Sequence, residues 1–215
     1  MAATELARAV AVIMDGNGRW AEQRGLPVAE GHRAGTKALR RTVEAAIDLG
    51  VESLAVYAFS TENWSRPIDE VEDLMEIFAE TIDRELPELA AQGVRTRFIG
   101  RRDRAPESLQ ERMSALELET AGRDRLELWI AFDYGGRAEL ADAARAMMQA
   151  GVRPEEVDED VFAVYLYAPD MPDPDLVIRT SGERSRPRST SASRRSSSTR
   201  SRPRTGRGRP RRSAR

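Results

Sequence analysis

Cysteine is absent from the 215 residues, and histidine occurs only once, at position 32. Without thiols the chain forms no disulfide bond and no thiolate metal centre, which is typical of a reducing compartment. No apolar run approaches the roughly 18 residues of a membrane span, and the amino terminus lacks the features of a signal peptide. We therefore expect a cytoplasmic protein, and its length is sufficient for one full hydrophobic core.

The formal net charge of −2 conceals two segments of opposite charge. Residues 184–215 contain 13 arginines and no acidic residue, so residues 1–183 keep 21 basic residues against 36 acidic ones, a net charge of about −15. The basic segment contains no Leu, Ile, Val, Phe, Tyr or Trp, and it cannot bury a core. This contrast predicts a folded domain over 1–183 and a disordered tail rich in Arg and Ser over 184–215.

Strand and helix patterns alternate along the acidic segment. Apolar and β-branched stretches predict strands at 10–14, 51–59, 94–99, 126–134 and 175–179. Helical spacing of apolar residues predicts helices at 33–49, from 68 to a kink or end near Pro87, and at 106–120, 138–149 and 155–166. The alternation predicts an α/β fold with a central, mostly parallel sheet flanked by helices.

The stretch from Val12 to Ala21 (VIMDGNGRWA) places charged residues directly after the first predicted strand. Asp15 stands at the carboxyl end of that strand, the edge at which open α/β sheets bind ligands. Gly16 and Gly18 let backbone N–H groups approach a ligand, and Arg19 supplies a cation that fits phosphate oxygens. A divalent cation would bridge the carboxylate to a phosphate. The stretch therefore indicates a Mg²⁺-dependent diphosphate site.

Two other interpretations of this stretch stay open at the level of the sequence. The letters DGNG also form a common tight turn, because Asp, Gly and Asn favour turns. Gly16, Gly18 and Ala21 satisfy the dinucleotide pattern G-x-G-x-x-A, although the acidic residue required about 20 positions later would fall in a predicted helix. A Walker loop is excluded, since no G-K-[ST] follows.

Polar residues also follow the later strands, in the loop 60–66, at Arg137 and at Arg179, and in a parallel sheet these ends share one edge. Five motifs carry a resemblance: VIMDGNGRWA, GHRAG from Gly31, YAFSTENWSRP from Tyr57, FDYGGR from Phe132 and PDLVIRTSGE from Pro174. In order and spacing over residues 10–183 they resemble the cis-prenyltransferases, the undecaprenyl diphosphate synthase family.

The resemblance implies an activity and an assembly. Enzymes of this family condense isopentenyl diphosphate with an allylic diphosphate, here geranyl or farnesyl diphosphate, to a cis-polyprenyl diphosphate with Mg²⁺ as cofactor. The resemblance also implies a homodimer and a hydrophobic tunnel for the growing chain, lined by the helix from Val71 to Ile82. Contact with a membrane would come through the lipid product, and no nucleic-acid partner is expected.

The resemblance also assigns roles to individual residues. Asp15 would be catalytic and hold Mg²⁺ against the allylic diphosphate. Asn63 matches the proton acceptor of the family, although a carboxamide is a very weak base and is better suited to positioning a substrate or water. The substrate-binding candidates are Gly16, Asn17, Gly18, Arg19, Trp20, His32, Ser60, Thr61, Glu62, Trp64, Arg66 and Arg179, with Arg179 holding isopentenyl diphosphate. Outside its motif a lone histidine such as His32 is more often structural, and core packing is about as frequent a role for Trp20 and Trp64.

The chain departs from the family at two places. Val28 stands where the family usually has a phosphate-binding Arg, a role that Arg24 or Arg33 would have to fill. After Glu183 the basic segment replaces an Arg-x-Ser-Asn-Phe-Leu-Leu-Trp-Gln-like segment and a later metal-binding Glu. We favour a shifted reading frame in a GC-rich gene, which would remove the last strand and helices and severely impair activity.

One alternative function follows from the same tail. The chain would then be an inactive pseudoenzyme or prenyl-binding protein whose basic arm contacts anionic membrane or nucleic acid.

Overall fold

The computed structural model describes residues 6–180, and it contains one five-stranded sheet in the order β3-β4-β2-β1-β5. All neighbouring strands are parallel. The strands are β1 (Ala9–Ile13), β2 (Ser53–Tyr57), β3 (Val94–Ile99), β4 (Leu126–Ala131) and β5 (Leu176–Arg179). The predicted α/β fold with a central parallel sheet is confirmed. The predicted tail and the loss of a last strand concern residues outside the described range.

Seven α-helices connect these strands within residues 6–180. They are α1 (Asn17–Glu22), α2 (Val28–Asp48), α3 (Ile68–Arg84), α4 (Leu86–Ala91), α5 (Glu107–Thr120), α6 (Gly136–Gln149) and α7 (Glu159–Val164). Two 3₁₀ helices lie at Thr61–Ser65 and Pro154–Glu156. None of these helices is both long and apolar enough to cross a membrane.

Most predicted helices are found, some with other bounds, such as α6, which begins at Gly136 rather than at residue 138. The break expected near Pro87 is confirmed, because α3 ends at Arg84 and Pro87 lies in the first turn of α4. The helix predicted at 33–49 begins earlier, directly after Pro27. The helix predicted at 155–166 is wrong as one element: a 3₁₀ turn precedes α7, whose amino terminus is capped by the Asp158 carboxylate, which accepts a hydrogen bond from the Val161 N–H at 2.8 Å.

One face of the sheet carries most of the hydrophobic core. Its strands present alternating large apolar side chains to α2, α3, α4 and α5, among them Val12, Leu54, Val56, Leu128 and Ile130. The opposite face presents a smaller cluster of buried residues that includes Trp129. Ala168 and Met171, from the segment after α7, pack against this cluster. The core therefore lies between the sheet and the helices α2–α5.

The edge strand β5 differs from the others in its burial. All four of its residues are exposed, with 46% of Leu176, 57% of Val177 and 43% of Ile178 accessible to solvent. By contrast, every residue of β4 except Glu127 is buried. The carboxyl ends of both strands contribute to the region described next.

Candidate active site

Asp15 lies directly beyond β1 between two arginines. Nη2 of Arg179, the last residue of β5, donates to Oδ2 of Asp15 at 2.9 Å, and Nη2 of Arg19 donates to Oδ1 at 3.3 Å. These contacts, that with Arg179 above all, hold the pKa of the Asp15 carboxyl below its usual value. The site therefore contains one ionised carboxylate that forms ion pairs with two arginines. The sequence predicted all three residues at the same edge of the sheet.

Thr180 fixes the backbone at this carboxylate. Its hydroxyl accepts a hydrogen bond from the Asp15 N–H at 2.8 Å and lies 2.6 Å from the Asp15 carbonyl oxygen, to which it donates. The Thr180 N–H also donates to the Ile13 carbonyl at 3.1 Å, so the pairing of β1 with β5 continues up to the site. The loop after β5 thus sets the position of Asp15 as directly as β1 does.

Glycines bring the short helix α1 against α2. Gly16, before α1, has a φ of 98°, a left-handed conformation that a side chain disfavours. A Cβ on Gly31 would lie 2.2 Å from the Asn17 carbonyl oxygen, and one on Gly35 would lie 2.7 Å from Asn17 Nδ2. The GHRAG motif therefore contains two glycines, one turn apart on α2, against which Asn17 docks. Gly18 lies inside α1, where its φ is not left-handed.

His32 projects from α2 toward the beginning of α3. Its Nε2 lies 3.8 Å from a Glu70 carboxylate oxygen, and Arg66 Nη1 donates to that same oxygen at 2.6 Å. Because His32 is largely buried and close to Arg66, the pKa of its imidazole lies below the usual value. The imidazole is therefore neutral at pH 7, and its buried Nε2 has no hydrogen-bond partner in the described part of the chain.

The segment after β2 forms a 3₁₀ helix whose amino terminus is closed by its own side chains. Asn63 Oδ1 accepts a hydrogen bond from the Ser60 N–H at 2.8 Å in a capping box. Ser60 pairs with Tyr134 beyond β4, and the Thr61 N–H donates to the Tyr134 carbonyl at 3.0 Å. The oxygen of the Asn63 carboxamide is thus already engaged, which leaves its amide protons for other contacts.

Aromatic rings and remaining cations near these elements have defined neighbours. The Arg24 guanidinium lies 4.2 Å from the centre of the Trp20 ring, which is 38% exposed, and Trp64 packs edge-on against Phe59 at 5.0 Å. Arg33 forms ion pairs with Glu30 and Glu80. Glu62 lies on the 3₁₀ helix, where its carbonyl accepts a hydrogen bond from the Ser65 hydroxyl at 2.7 Å.

Two cavities meet at Asn17. The larger is a groove of about 580 Å³ whose polar part contains Asp15, Gly16, Arg19 and Thr180. The smaller, of about 70 Å³, lies between α2, α3 and the sheet, and its lining is mainly apolar apart from Asn17, His32 and two threonines. Trp64 and the other residues of the 3₁₀ helix line neither cavity. The described part of the site is therefore a polar groove next to a narrow apolar cavity.

Within residues 6–180, no three carboxylate or histidine side chains come together as a metal cluster. Asp15 is the one carboxylate of the polar groove, and its two oxygens both face arginines. A Mg²⁺ ion bound with a diphosphate needs only one or two protein carboxylates, because phosphate oxygens and water complete its shell. The donor set therefore fits a metal that enters together with a diphosphate.

Three contributors to the site were not identified from the sequence. Thr180 directly follows β5, and this position at the carboxyl end of a strand was the one sequence feature that could have indicated its role in the site. Glu70 stands four residues after Arg66, a spacing that favours an ion pair on a helix. The contact of Asn17 with Gly31 joins two different helices, and no local pattern reveals it.

The comparisons with known proteins agree with this geometry. A family model described as putative undecaprenyl diphosphate synthase matches residues 13–186. An isoprenyl transferase of Thermotoga maritima is 48% identical over 176 residues, which cover 81% of this chain and 76% of that protein. A ditrans,polycis-undecaprenyl-diphosphate synthase of Xanthomonas axonopodis pv. citri, named as specific for (2E,6E)-farnesyl diphosphate, is 48% identical over 82% of this chain and 70% of its own length.

Solved structures give the same result. One similar structure is that of lavandulyl diphosphate synthase from Lavandula x intermedia in complex with dimethylallyl diphosphate. It has a TM-score of 0.80 and 34% sequence identity, and the alignment covers 83% of this chain and 79% of that chain. A probable undecaprenyl diphosphate synthase from Campylobacter jejuni has a TM-score of 0.68 at 27% identity, with 84% and 78% covered. The match to the family model and these relatives show that the chain belongs to the undecaprenyl diphosphate synthase family, whose members are cis-prenyltransferases.

Proposed function

We propose that this site condenses isopentenyl diphosphate with an allylic diphosphate, geranyl or farnesyl diphosphate, and that the reaction requires Mg²⁺. The observation that carries the proposal is the junction of the two cavities at Asn17. A polar groove with a carboxylate and arginines fits a diphosphate, and an adjoining apolar cavity fits the start of a hydrocarbon chain. An allylic diphosphate has both parts in this order.

The diphosphate of the allylic substrate binds at the polar groove in this proposal. Arg19 and the backbone of Gly16, Asn17 and Gly18 would bind its oxygens, and Asp15 would hold Mg²⁺. Because Arg19 and Arg179 both contact Asp15, a diphosphate bound beside them would share these cations with the carboxylate, whose oxygens would hold Mg²⁺. Mg²⁺ bound there supplies positive charge that makes the diphosphate a better leaving group.

The hydrocarbon chain extends into the apolar cavity between α2 and α3. Its volume of about 70 Å³ is far below the roughly 300–1,000 Å³ of ordinary ligand sites. Leu74, Ile77, Phe78 and Ile82 of α3 line this cavity together with Thr81, so separation of α2 and α3 would enlarge a space whose lining is mainly apolar. We propose that chain growth drives this separation, with Trp20 lying beside the polar end of the chain.

The chemical step breaks the bond between the allylic carbon and the diphosphate oxygen and forms a new carbon–carbon bond to isopentenyl diphosphate. The new bond takes the π electrons of the isopentenyl double bond, diphosphate leaves with the electron pair of the broken bond, and one proton passes to this diphosphate or to water as the new cis double bond forms. Because Asn63 uses its side-chain oxygen within the 3₁₀ helix, we assign this residue to orientation of the substrate through its amide protons.

Arg179 holds the diphosphate of isopentenyl diphosphate, opposite Arg19 across Asp15. Arg66 and the neutral His32 lie beside Glu70 at the beginning of α3. We assign them to substrate binding together with Ser60, Thr61, Glu62 and Trp64, as the family resemblance implies. Val28 replaces a cation here, and Arg24 and Arg33 have other partners, so we expect weaker diphosphate binding than in relatives with an Arg at that position.

The catalytic domain in this proposal comprises residues 1–183. The match to the family model ends at residue 186, and the composition becomes Arg/Ser-rich over 184–215. The exposed strand β5 supports the idea that a complete relative covers this edge with further elements and a second protomer. We therefore expect a homodimer in the version with a restored reading frame, and severely reduced activity in this chain.

The test is the incorporation of radiolabelled isopentenyl diphosphate onto farnesyl diphosphate, with and without Mg²⁺. This chain is compared with a version whose reading frame is restored after Glu183, and Asp15→Asn in the restored version is the control for the site. Activity in the restored version alone supports the family function and the frameshift. Activity in both chains refutes the predicted impairment. No incorporation by either, together with binding of farnesyl diphosphate, favours a prenyl-binding protein.

A further inference from the structure

Asp133 is the one fully buried acidic residue among those described, and it lies outside the residues assigned to the substrates. It follows β4 in a left-handed backbone conformation with a φ of 46°, which is uncommon for a residue other than glycine. Arg104 forms a bidentate ion pair with it: Nε donates to Oδ2 at 2.9 Å, and Nη2 donates to Oδ1. A buried carboxylate requires such a partner, so the ion pair fixes the guanidinium in one plane.

That guanidinium also contacts the segment that carries Asn63. Its central carbon lies 4.9 Å from the centre of the Trp64 ring, within the range of a cation–π interaction. The buried Trp64 indole N–H has no hydrogen-bond partner among residues 6–180. Ring contacts with Arg104 and Phe59 therefore fix the orientation of this side chain.

The aromatic contacts continue from Trp64 into the apolar cavity. Phe59 stacks on Phe132 at 5.4 Å, and Phe132 packs edge-on against Phe78, which lines that cavity. A Cβ on Gly100, before Arg104, would lie 2.1 Å from the Phe132 carbonyl oxygen. The loop between β3 and α5 is thus packed tightly against the end of β4, which gives Arg104 a rigid base.

We propose that Arg104 is a positioning residue for the proposed reaction. Held by Asp133, its guanidinium covers the Trp64 ring and fixes the 3₁₀ helix Thr61–Ser65, so that Asn63 meets the substrate in one orientation. The role in turnover rests on the proposed function, whereas the effect on the 3₁₀ helix does not. The two parts can therefore fail separately.

The test of the structural part is amide hydrogen exchange in the full chain without substrate. In Arg104→Lys the ion pair with Asp133 is retained and the planar cover over Trp64 is lost. We expect the amides of Thr61, Asn63 and Arg66 to exchange about tenfold faster, while those of β4 keep their rates. The matched control is Arg102→Gln, since the partners of Arg102 are Glu117 and Phe98. Equal exchange in Arg104→Lys and the parent chain overturns the proposal.

A cycle with Trp64 separates positioning from simple support of the fold. If Arg104 acts through the indole ring, Arg104→Lys has no further effect on these amides in a Trp64→Leu background. Additive effects of the two substitutions would refute the route through Trp64. The double variant Arg104→Gln/Asp133→Asn removes both charges together, and it serves if Arg104→Lys does not fold.

The catalytic part is measured in the version with the restored reading frame. We expect kcat for isopentenyl incorporation to decrease about tenfold in Arg104→Lys, with KM for farnesyl diphosphate unchanged within twofold. An unchanged kcat in a variant with faster exchange overturns the link to turnover. If the parent itself has no activity while exchange responds as expected, the positioning of the 3₁₀ helix by Arg104 is supported and the proposed function fails.

Discussion

Strand β4, the second strand of the described sheet, is covered by protein at nearly every residue, whereas the edge strand β5 is exposed along its whole length. The candidate active site draws on both. The 3₁₀ helix Thr61–Ser65 is fixed to the end of β4 through Tyr134, and Arg179 and Thr180 extend from β5. The 3₁₀-helix part of the site is therefore attached to a buried strand, whereas Arg179 and Thr180 belong to an edge strand that few other residues pack against.

The largest expected effect comes from the same substitution, Leu to Ala, in β4 and in β5. Leu128→Ala in β4 removes a side chain that is 0% exposed, and it should lower the free energy of unfolding by about 2–5 kcal/mol. Leu176→Ala in β5 removes one that is 46% exposed and should cost less than about 1 kcal/mol. Urea denaturation of both variants measures the difference. Equal losses would mean that β5 is buried in solution, for example by a second protomer.

A second substitution tests the exposed half of the site. Arg179→Gln removes the strongest contact of Asp15 and should weaken the binding of Mg²⁺–diphosphate about 10- to 150-fold, because a hydrogen bond to a charged group contributes about 1.5–3 kcal/mol. Isothermal titration calorimetry with inorganic diphosphate provides the measurement. Arg8→Gln removes an equal charge at the amino end of the sheet, and it should bind like the parent chain. Unchanged binding in Arg179→Gln would contradict the role of β5.

A third comparison, between two glycine substitutions, tests the contact of α1 with α2. Gly31→Ala places a methyl group against the Asn17 carbonyl, and we expect it to cost about 1–3 kcal/mol of stability and to displace the diphosphate cradle. Gly136→Ala, at the start of α6 with open space around it, should be neutral or slightly stabilising. Thermal unfolding with and without diphosphate distinguishes them. A neutral Gly31→Ala would show that α1 is not held as described.

The smallest effect is a pH dependence from the single histidine. Burial lowers the pKa of His32, so the unfolded chain takes up the proton first as the pH falls. This contribution to stability is complete above about pH 6.5 and is lost as the pH falls through the lowered pKa. The urea midpoint should therefore decrease from pH 7 to pH 5 in the parent chain, and less so in His32→Asn. The carboxyl groups of Asp15 and Asp142, whose pKa values are lowered, in the latter case to about 2, stay ionised over this range.

The order of the strands and of the longer helices was predictable because each of them has its own apolar period, whereas the short helix α1 was not predicted. Strand β3 was predicted with its exact bounds, and the break near Pro87 follows from the missing N–H of proline. The approach of Arg179 to Asp15, 164 positions apart in the chain, was also predictable, since parallel strands bring their carboxyl ends to one edge.

Contacts between unlike elements were not predictable in the same way. The ion pair of Arg104 with Asp133 joins two loops, and neither residue has a sequence neighbour that indicates the other. The two-part segment at 154–164 also differs from the predicted single helix, because the Asp158 cap begins a new helix after the 3₁₀ turn. Such details depend on packing in three dimensions.

The sequence by itself determined the family, the parallel sheet and the set of charged residues at its carboxyl edge, because motif spacing and apolar periodicity are local properties. The tertiary structure decided which of these residues touch: Arg19 and Arg179 on Asp15, Asn17 on two glycines of α2, and Arg104 over Trp64. It also decided that β4 is covered and β5 exposed, because burial depends on which elements pack on a strand rather than on the strand's own residues.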